Sequence, residues 1–264
     1  MNNASVADPK TSKLSRKPVI FTDLDDTLFQ TLRKVPEGET DLRLASTSSN
    51  GKHSYMTTTQ AWMVDWLLES SRLIPVTARS TRALRGCHIP FTDWMIASNG
   101  AVLLDSSGQI DQRWQAHIEG IARQYSEQLH GCEVIASGLN DRGLFRHWLV
   151  TENGCDVYFC AKANGSAGSA EYLGAIDQLA AKLKPIVDTG LTLHRNRSVL
   201  SITPPGVSKA AAVEHLLEID PDLNDPPVFA MGDGLTDLPF MGLADMMMTP
   251  PGSQIHRSIK KDVA

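Results

Sequence analysis

Two places in the sequence concentrate carboxylates. Asp23-Leu24-Asp25-Asp26-Thr27 sets three aspartates within four positions, directly after the apolar run Pro18-Val19-Ile20-Phe21-Thr22. Like charges this close raise one another's pKa unless a cation sits among them, and Mg²⁺, a hard ion that prefers oxygen ligands, is the natural neutraliser. The second group, Gly232-Asp233-Gly234-Leu235-Thr236-Asp237, follows the apolar run Val228-Phe229-Ala230-Met231. Each group alone reads equally well as an acidic turn that caps a helix. In a parallel sheet, however, such strand ends open on one edge, so the two clusters can share one metal.

Other groups suited to an anion lie elsewhere in the chain. Lys209 opens a helix after Pro204-Pro205-Gly206-Val207-Ser208, so a cation and a helix N-terminus point the same way, which suits a phosphate dianion. Thr77, closing the run Leu73-Ile74-Pro75-Val76-Thr77, offers a hydroxyl to the same anion. Taken singly, each is an ordinary solvated lysine or strand-end threonine.

The elements that must position these groups follow from hydrophobic periodicity. The runs at 18–22, 73–77 and 228–231 read as buried parallel strands. Trp62, Met63, Trp66 and Leu67 recur at helical spacing and predict a helix. Asp41 to Leu44 and His53 to Met56, flanking Ser49-Asn50-Gly51, predict a small hairpin. Trp94 to Ala97 and Ala101 to Leu104 bracket Ser98-Asn99-Gly100 as two short strands joined by a tight turn.

Between 106 and 192 the pattern changes. One amphipathic helix carries Trp114, Ile118, Ile121, Tyr125 and Leu129, and another carries Tyr172, Ile176, Leu179 and Leu183. Strand-like segments at 132–136, 144–151 and 155–161 lie between them, the order of a separate α+β unit. The predicted organisation is an α/β protein: a polar tail over 1–17, a Rossmann-like parallel-sheet core over 18–105 and 193–264, and an inserted α+β cap domain over 106–192.

Composition restricts the partners. The 264 residues are 42% hydrophobic and 21% charged, the balance of an ordinary globular chain. A net charge of −5 leaves no basic footprint for nucleic acid. No stretch approaches the roughly 18 apolar residues of a membrane span, and the N-terminus lacks a signal-peptide core, so a cytoplasmic location without membrane partners is expected. The four cysteines, Cys87, Cys132, Cys155 and Cys160, show no zinc spacing and read as reduced.

The order Asp-x-Asp-x-Thr after one strand, Thr after the next, Lys opening a late helix, and Gly-Asp-x-x-x-Asp after a later strand resembles the haloacid dehalogenase superfamily. The large insertion and Ser98-Asn99-Gly100-Ala101 are similar to its sugar-phosphatase branch with a big α/β cap, the layout of sucrose-phosphate, mannosylglycerate-phosphate and Cof-type phosphatases. The resemblance implies a Mg²⁺-dependent phosphatase acting on a small phosphate ester such as a sugar phosphate. It makes Asp23 the nucleophile and Asp25 the general acid and base. Mg²⁺ would be held by Asp23, Asp233 and the backbone carbonyl of Asp25, with Asp237 adjacent through water or holding Lys209. Thr77 and Lys209 would grip phosphate oxygens, and Asn99 is a candidate for substrate contact. Arg79 has two readings, substrate or a structural carboxylate.

Two departures stand out. Asp26 takes a place where many relatives carry glycine or asparagine, and Thr77-Ala78-Arg79 replaces the frequent Thr-Gly-Arg. Arg146, His147, His194, Arg195 and Arg197 are polar enough to meet a sugar or an acid, but each reads as readily as a surface residue. The competing readings are a phosphosugar mutase of the same superfamily and an idle binding or regulatory module. A dehalogenase is disfavoured because its chemistry does not need Asp25.

Overall fold

The computed structural model describes residues 16–48, 51–164, 169–196 and 198–263. Most of the expected tail, Ser49 and Asn50 of the expected hairpin turn, and Arg197 lie outside the described residues.

The chain enters through β1 (Val19–Thr22), all four residues of which are buried. A small antiparallel sheet follows, built from β2 (Gln30–Thr31), β3 (Arg43–Ser46) and β4 (Ser54–Met56) in the order β2-β4-β3. The predicted hairpin is the β3–β4 pair, with Leu44 opposite Tyr55.

Helix α1 (Thr58–Ser70) starts in a capping box, in which the Thr57 side chain and Gln60 satisfy each other's backbone N–H groups. Its buried face is Ala61, Val64 and Leu67. Trp62 and Trp66 lie outside that face: they are 69% and 53% exposed and stack on each other at 6.3 Å. They form an i,i+4 stripe about 180° around the helix from the face that the smaller residues fill.

Next come β5 (Arg72–Pro75), the short α2 (Thr81–Leu84), and β6 (Met95–Ala97) paired antiparallel with β7 (Val102–Leu104) through the turn Ser98–Gly100.

The inserted unit begins with α3 (Gln112–Gln124) and α4 (Ser126–Leu139). The single helix expected from Trp114 to Leu129 is broken at Tyr125, because its two halves serve different cores. Trp114 and Ile118 join the main cluster, whereas Leu129, Cys132 and Ala136 join the cap cluster. That spacing is helical, so the strand expected at 132–136 is also corrected.

Then follow β8 (Phe145–Glu152), β9 (Cys155–Ala163), α5 (Ala170–Val187), β10 (Thr192–Asn196) and β11 (Val199–Thr203). The four strands form one antiparallel sheet in the order β10-β11-β9-β8. The segment from 193 to 203, expected to belong to the resumed core, is therefore part of the cap sheet. Leu200 and Ile202 pack with Phe159, Ile176 and Leu179 in the cap cluster, which is what draws β11 there.

The chain returns through α6 (Lys209–Ile219), β12 (Val228–Met231), α7 (Leu238–Met241), β13 (Met246–Met248) and α8 (Gln254–Val263). The core sheet is parallel, ordered β13-β12-β1-β5, with Thr22 aligned to both Met231 and Pro75. A parallel bridge from Val76 to Ile96 carries β6 onto its edge. The strands carrying Asp23, Thr77 and Asp233 thus end side by side on one edge, as the α/β rule requires. Among the described residues no helix is long and apolar enough to cross a membrane.

Candidate active site

Asp23 is the first residue beyond β1, and its backbone N–H donates to Met231 O at 2.8 Å, which ties it to the end of β12. The turn after it depends on Asp26, whose φ of 65° is left-handed. Aspartate tolerates that conformation better than most residues. Asp26 also pairs with Lys34.

Lys209 is the first residue of α6, and Ser208 caps the helix by accepting from Ala211 N at 3.1 Å. The side chain of Lys209 is buried, and its Nζ donates to Asp23 Oδ1 at 2.6 Å and to Asp237 Oδ1 at 2.7 Å. Burial opposes its charge, but the two carboxylates outweigh burial and raise its pKa. Asp237 Oδ2 accepts from Gly234 N at 2.9 Å, so Asp237 fixes the lysine to the glycine loop. The same loop carries Asp233.

One carboxylate oxygen each from Asp23, Asp233 and Asp237 lie within 4.8 Å of one another. Burial, with Asp237 and Asp25 adding and Lys209 opposing, pushes Asp23 up to about 7. Burial, then Asp237 and Asp26, push Asp233 up to about 6. Three crowded, desolvated carboxylates with one ammonium among them remain short of positive charge. Their all-oxygen donor set fits a hard divalent cation. The carboxylate of Asp25 is not in this cluster.

Asp25 is held instead by Arg79, whose Nε and Nη2 donate to its two oxygens at 2.6 and 2.8 Å. Arg79 also donates to Ser46 Oγ at 2.6 Å and Ser54 Oγ at 3.2 Å, and its guanidinium lies 4.8 Å from the centre of the Phe29 ring. Of the two readings of Arg79, the contact observed is the one with a carboxylate, and that carboxylate belongs to the site. Ser46 and Ser54 carried no signal in the sequence, since only the β3–β4 pairing brings two serines to one guanidinium.

Thr77 is buried and its hydroxyl accepts from Arg79 N at 3.1 Å, leaving the hydroxyl proton to donate. Asn99 has a φ of 56° and its N–H donates to Thr77 O at 3.0 Å, while the hydroxyl of Tyr158 in the cap donates to Ala78 O at 3.4 Å. A cavity of 420 Å³ between core and cap is lined by Lys209, Asn99, Ala78, Tyr158, Cys160 and Trp148. His194 and Arg195 reach it from β10, and Arg195 pairs with Asp177. Glu152, at the end of β8, is buried and accepts from Thr81 N at 2.9 Å and from the Ser98 hydroxyl, so the cap is fastened to the site turn.

The comparisons with known proteins agree with this arrangement. Residues 169–249 match the family model of haloacid dehalogenase-like hydrolases. No curated protein matches the chain. Among solved structures, the sucrose-phosphatase of Synechocystis, determined in complex with sucrose and phosphate, is 14% identical, with 94% of this chain and 97% of that chain covered at a TM-score of 0.54. A phosphatase of the haloalkanoate enzyme superfamily from Bacteroides thetaiotaomicron is 14% identical over 98% of both chains, with a TM-score of 0.53. A trehalose-6-phosphate phosphatase related protein is 18% identical over 93% of this chain and 96% of that one, with a TM-score of 0.52. The chain thus has the capped fold of the haloacid dehalogenase-like hydrolases, and the sequence match falls on the stretch holding Lys209, Asp233 and Asp237.

Proposed function

We propose that the chain is a Mg²⁺-dependent phosphomonoester hydrolase that works through an aspartyl-phosphate on Asp23, with a small phosphorylated metabolite of the sugar-phosphate kind as substrate. The observation that carries this reading is the clasp of Lys209 on Asp23 beside an Asp25 oriented by Arg79. It sets on one sheet edge the three side chains that this reading needs as nucleophile, phosphate-binding cation and acid–base group.

In the first half-reaction an Asp23 oxygen attacks phosphorus, the ester P–O bond breaks, and the leaving oxygen takes a proton from Asp25. In the second, Asp25 takes a proton from water, which attacks the acyl phosphate and frees phosphate and Asp23. Two easier steps replace one hard one, and a single carboxyl group serves both by reversing its proton transfer. Lys209 and Thr77 bind the phosphoryl oxygens, where negative charge must be stabilised during transfer. Mg²⁺, which Asp23, Asp233 and Asp237 would hold, supplies the positive charge that lets an anionic ester approach these carboxylates. The cap bounds the 420 Å³ cavity and keeps bulk water from the aspartyl-phosphate.

The test is phosphate release from sugar phosphates, phosphoglycerates and p-nitrophenyl phosphate, with Mg²⁺ and with EDTA, by the wild type and by Asp23→Asn. Metal-dependent release that is lost in a folded Asp23→Asn protein supports the reading. Wild-type turnover in that variant would reject Asp23 as nucleophile.

A further inference from the structure

Strands β8 and β9 carry an unfavourable pair: Arg146 stands directly opposite Lys162. Like charges in facing positions weaken a sheet, and partial burial of Lys162 adds to the cost. Burial first, then Arg146, Arg33 and Lys52, depress the pKa of Lys162. Among the described residues no carboxylate forms an ion pair with Lys162, Arg146 or Arg33. The guanidinium of Arg146 lies 5.6 Å from the Trp148 ring, a contact that supplies no full negative charge.

The placement of this cluster ties it to the active site. Side chains alternate along a strand, so Tyr158, Cys160 and Lys162 share one face of β9. Tyr158 and Cys160 line the cavity that contains Lys209. Lys162 and Arg33 line an adjoining cavity of 630 Å³ that also contains Asp233, and Asn196 and Val199 line both, which makes the two contiguous. Beyond it, a cavity of 430 Å³ is lined by Lys162 and Arg33 again, now with Arg146. The two acids of the middle cavity are engaged, Asp233 in the carboxylate cluster and Asp26 with Lys34.

We propose that Lys162, Arg146 and Arg33 bind a second anionic group, a carboxylate or a second phosphate, carried on the leaving group of the substrate. This rests on the phosphatase reading and narrows its substrate class to phosphate esters of acids or to bisphosphates. The phosphoryl end sits at Lys209 and Asp23, the body of the molecule lies along the β9 face, and the far acid supplies the charge that the opposed cations lack.

The test is calorimetric titration of the Asp23→Asn protein, with Mg²⁺ present so that ester is bound and not consumed. The probes are 6-phosphogluconate, fructose 1,6-bisphosphate and glucose 6-phosphate. At least one of the two doubly anionic probes is expected to bind about tenfold or more tighter than glucose 6-phosphate, the scale of one charge-assisted contact. Preference for 6-phosphogluconate alone assigns a carboxylate, and preference for the bisphosphate alone assigns a phosphate. Adding Lys162→Gln or Arg146→Gln should bring the ratio to within about twofold, and Lys162→Arg should keep it. Equal affinity for all three probes, or a ratio unchanged by Lys162→Gln, overturns the proposal. Turnover of p-nitrophenyl phosphate by the wild type tests the hydrolase reading separately; its absence would remove the leaving-group assignment whatever the binding ratios.

Discussion

Arg79 meets Asp25 with two parallel hydrogen bonds of 2.6 and 2.8 Å, while its remaining donors reach Ser46 and Ser54 on the small sheet. The planar fork of the guanidinium fixes both the position and the plane of the carboxylate, which a single ammonium cannot do. Arg79→Ala is expected to lower kcat for p-nitrophenyl phosphate by about 10- to 100-fold, the cost of misplacing Asp25 if it is the acid–base group proposed above. Arg79→Lys should recover little of it. Steady-state kinetics with a melting curve for each variant separates this from unfolding, and wild-type kcat in Arg79→Lys would contradict the positioning role.

Metal should act on stability as well as on rate. Asp23 and Asp233 are raised from the ordinary 3.8 to about 7 and about 6, so the folded metal-free protein keeps protons that the unfolded chain releases. Stability of the metal-free protein therefore falls as pH rises from near 4 toward 7. A divalent cation binds the deprotonated carboxylates, so the rise in Tm on adding Mg²⁺ should be larger at pH 7.5 than at pH 5.5. Scanning calorimetry in EDTA and in Mg²⁺ at both pH values checks it. An equal Mg²⁺ effect at the two pH values would count against the cluster as the metal site.

The contrast between these two centres shows what the sequence could reveal. Asp23, Lys209, Asp233 and Asp237 were legible because each stands at the end of an apolar run or the start of a helix, positions that periodicity locates. The Arg79 cradle was not, since Ser46 and Ser54 meet Arg79 only through the pairing of β3 with β4. The break at Tyr125 was hidden for a related reason: residues on either side keep helical spacing, and only the two separate cores show why the chain turns. The boundary of the inserted unit at 192 falls too early because the alternating pattern over 199–203 fits either sheet. The choice is made by the cap helices that Leu200 and Ile202 meet.

Gly100 has a φ of +93°, and a Cβ there would lie 2.0 Å from the carbonyl oxygen of Ser208, the cap of the helix that presents Lys209. Backbone cannot retreat from this contact without moving α6. Gly100→Ala should therefore cost about 3 kcal/mol or more, combining a left-handed backbone with a steric clash. Urea denaturation of the variant measures it. A loss below about 1 kcal/mol would show that the turn and the helix start can separate freely.

Glu152 offers a finer test of how cap and core are joined. It is buried at the end of β8, accepts from Thr81 N at 2.9 Å and from the Ser98 hydroxyl, and so ties the start of α2 to the turn that carries Asn99. Glu152→Ala would leave both donors without their acceptor, at a cost of about 2–3 kcal/mol. Both donors meet the same oxygen, Oε1, so Glu152→Gln keeps an acceptor for both and should lose less. Because Asn99 in turn hydrogen-bonds Thr77 O through its N–H, loosening this tether should also raise KM for small phosphate esters. Urea denaturation with steady-state kinetics reads both effects, and a Glu152→Ala protein with wild-type stability and KM would show that the cap is seated by apolar packing alone.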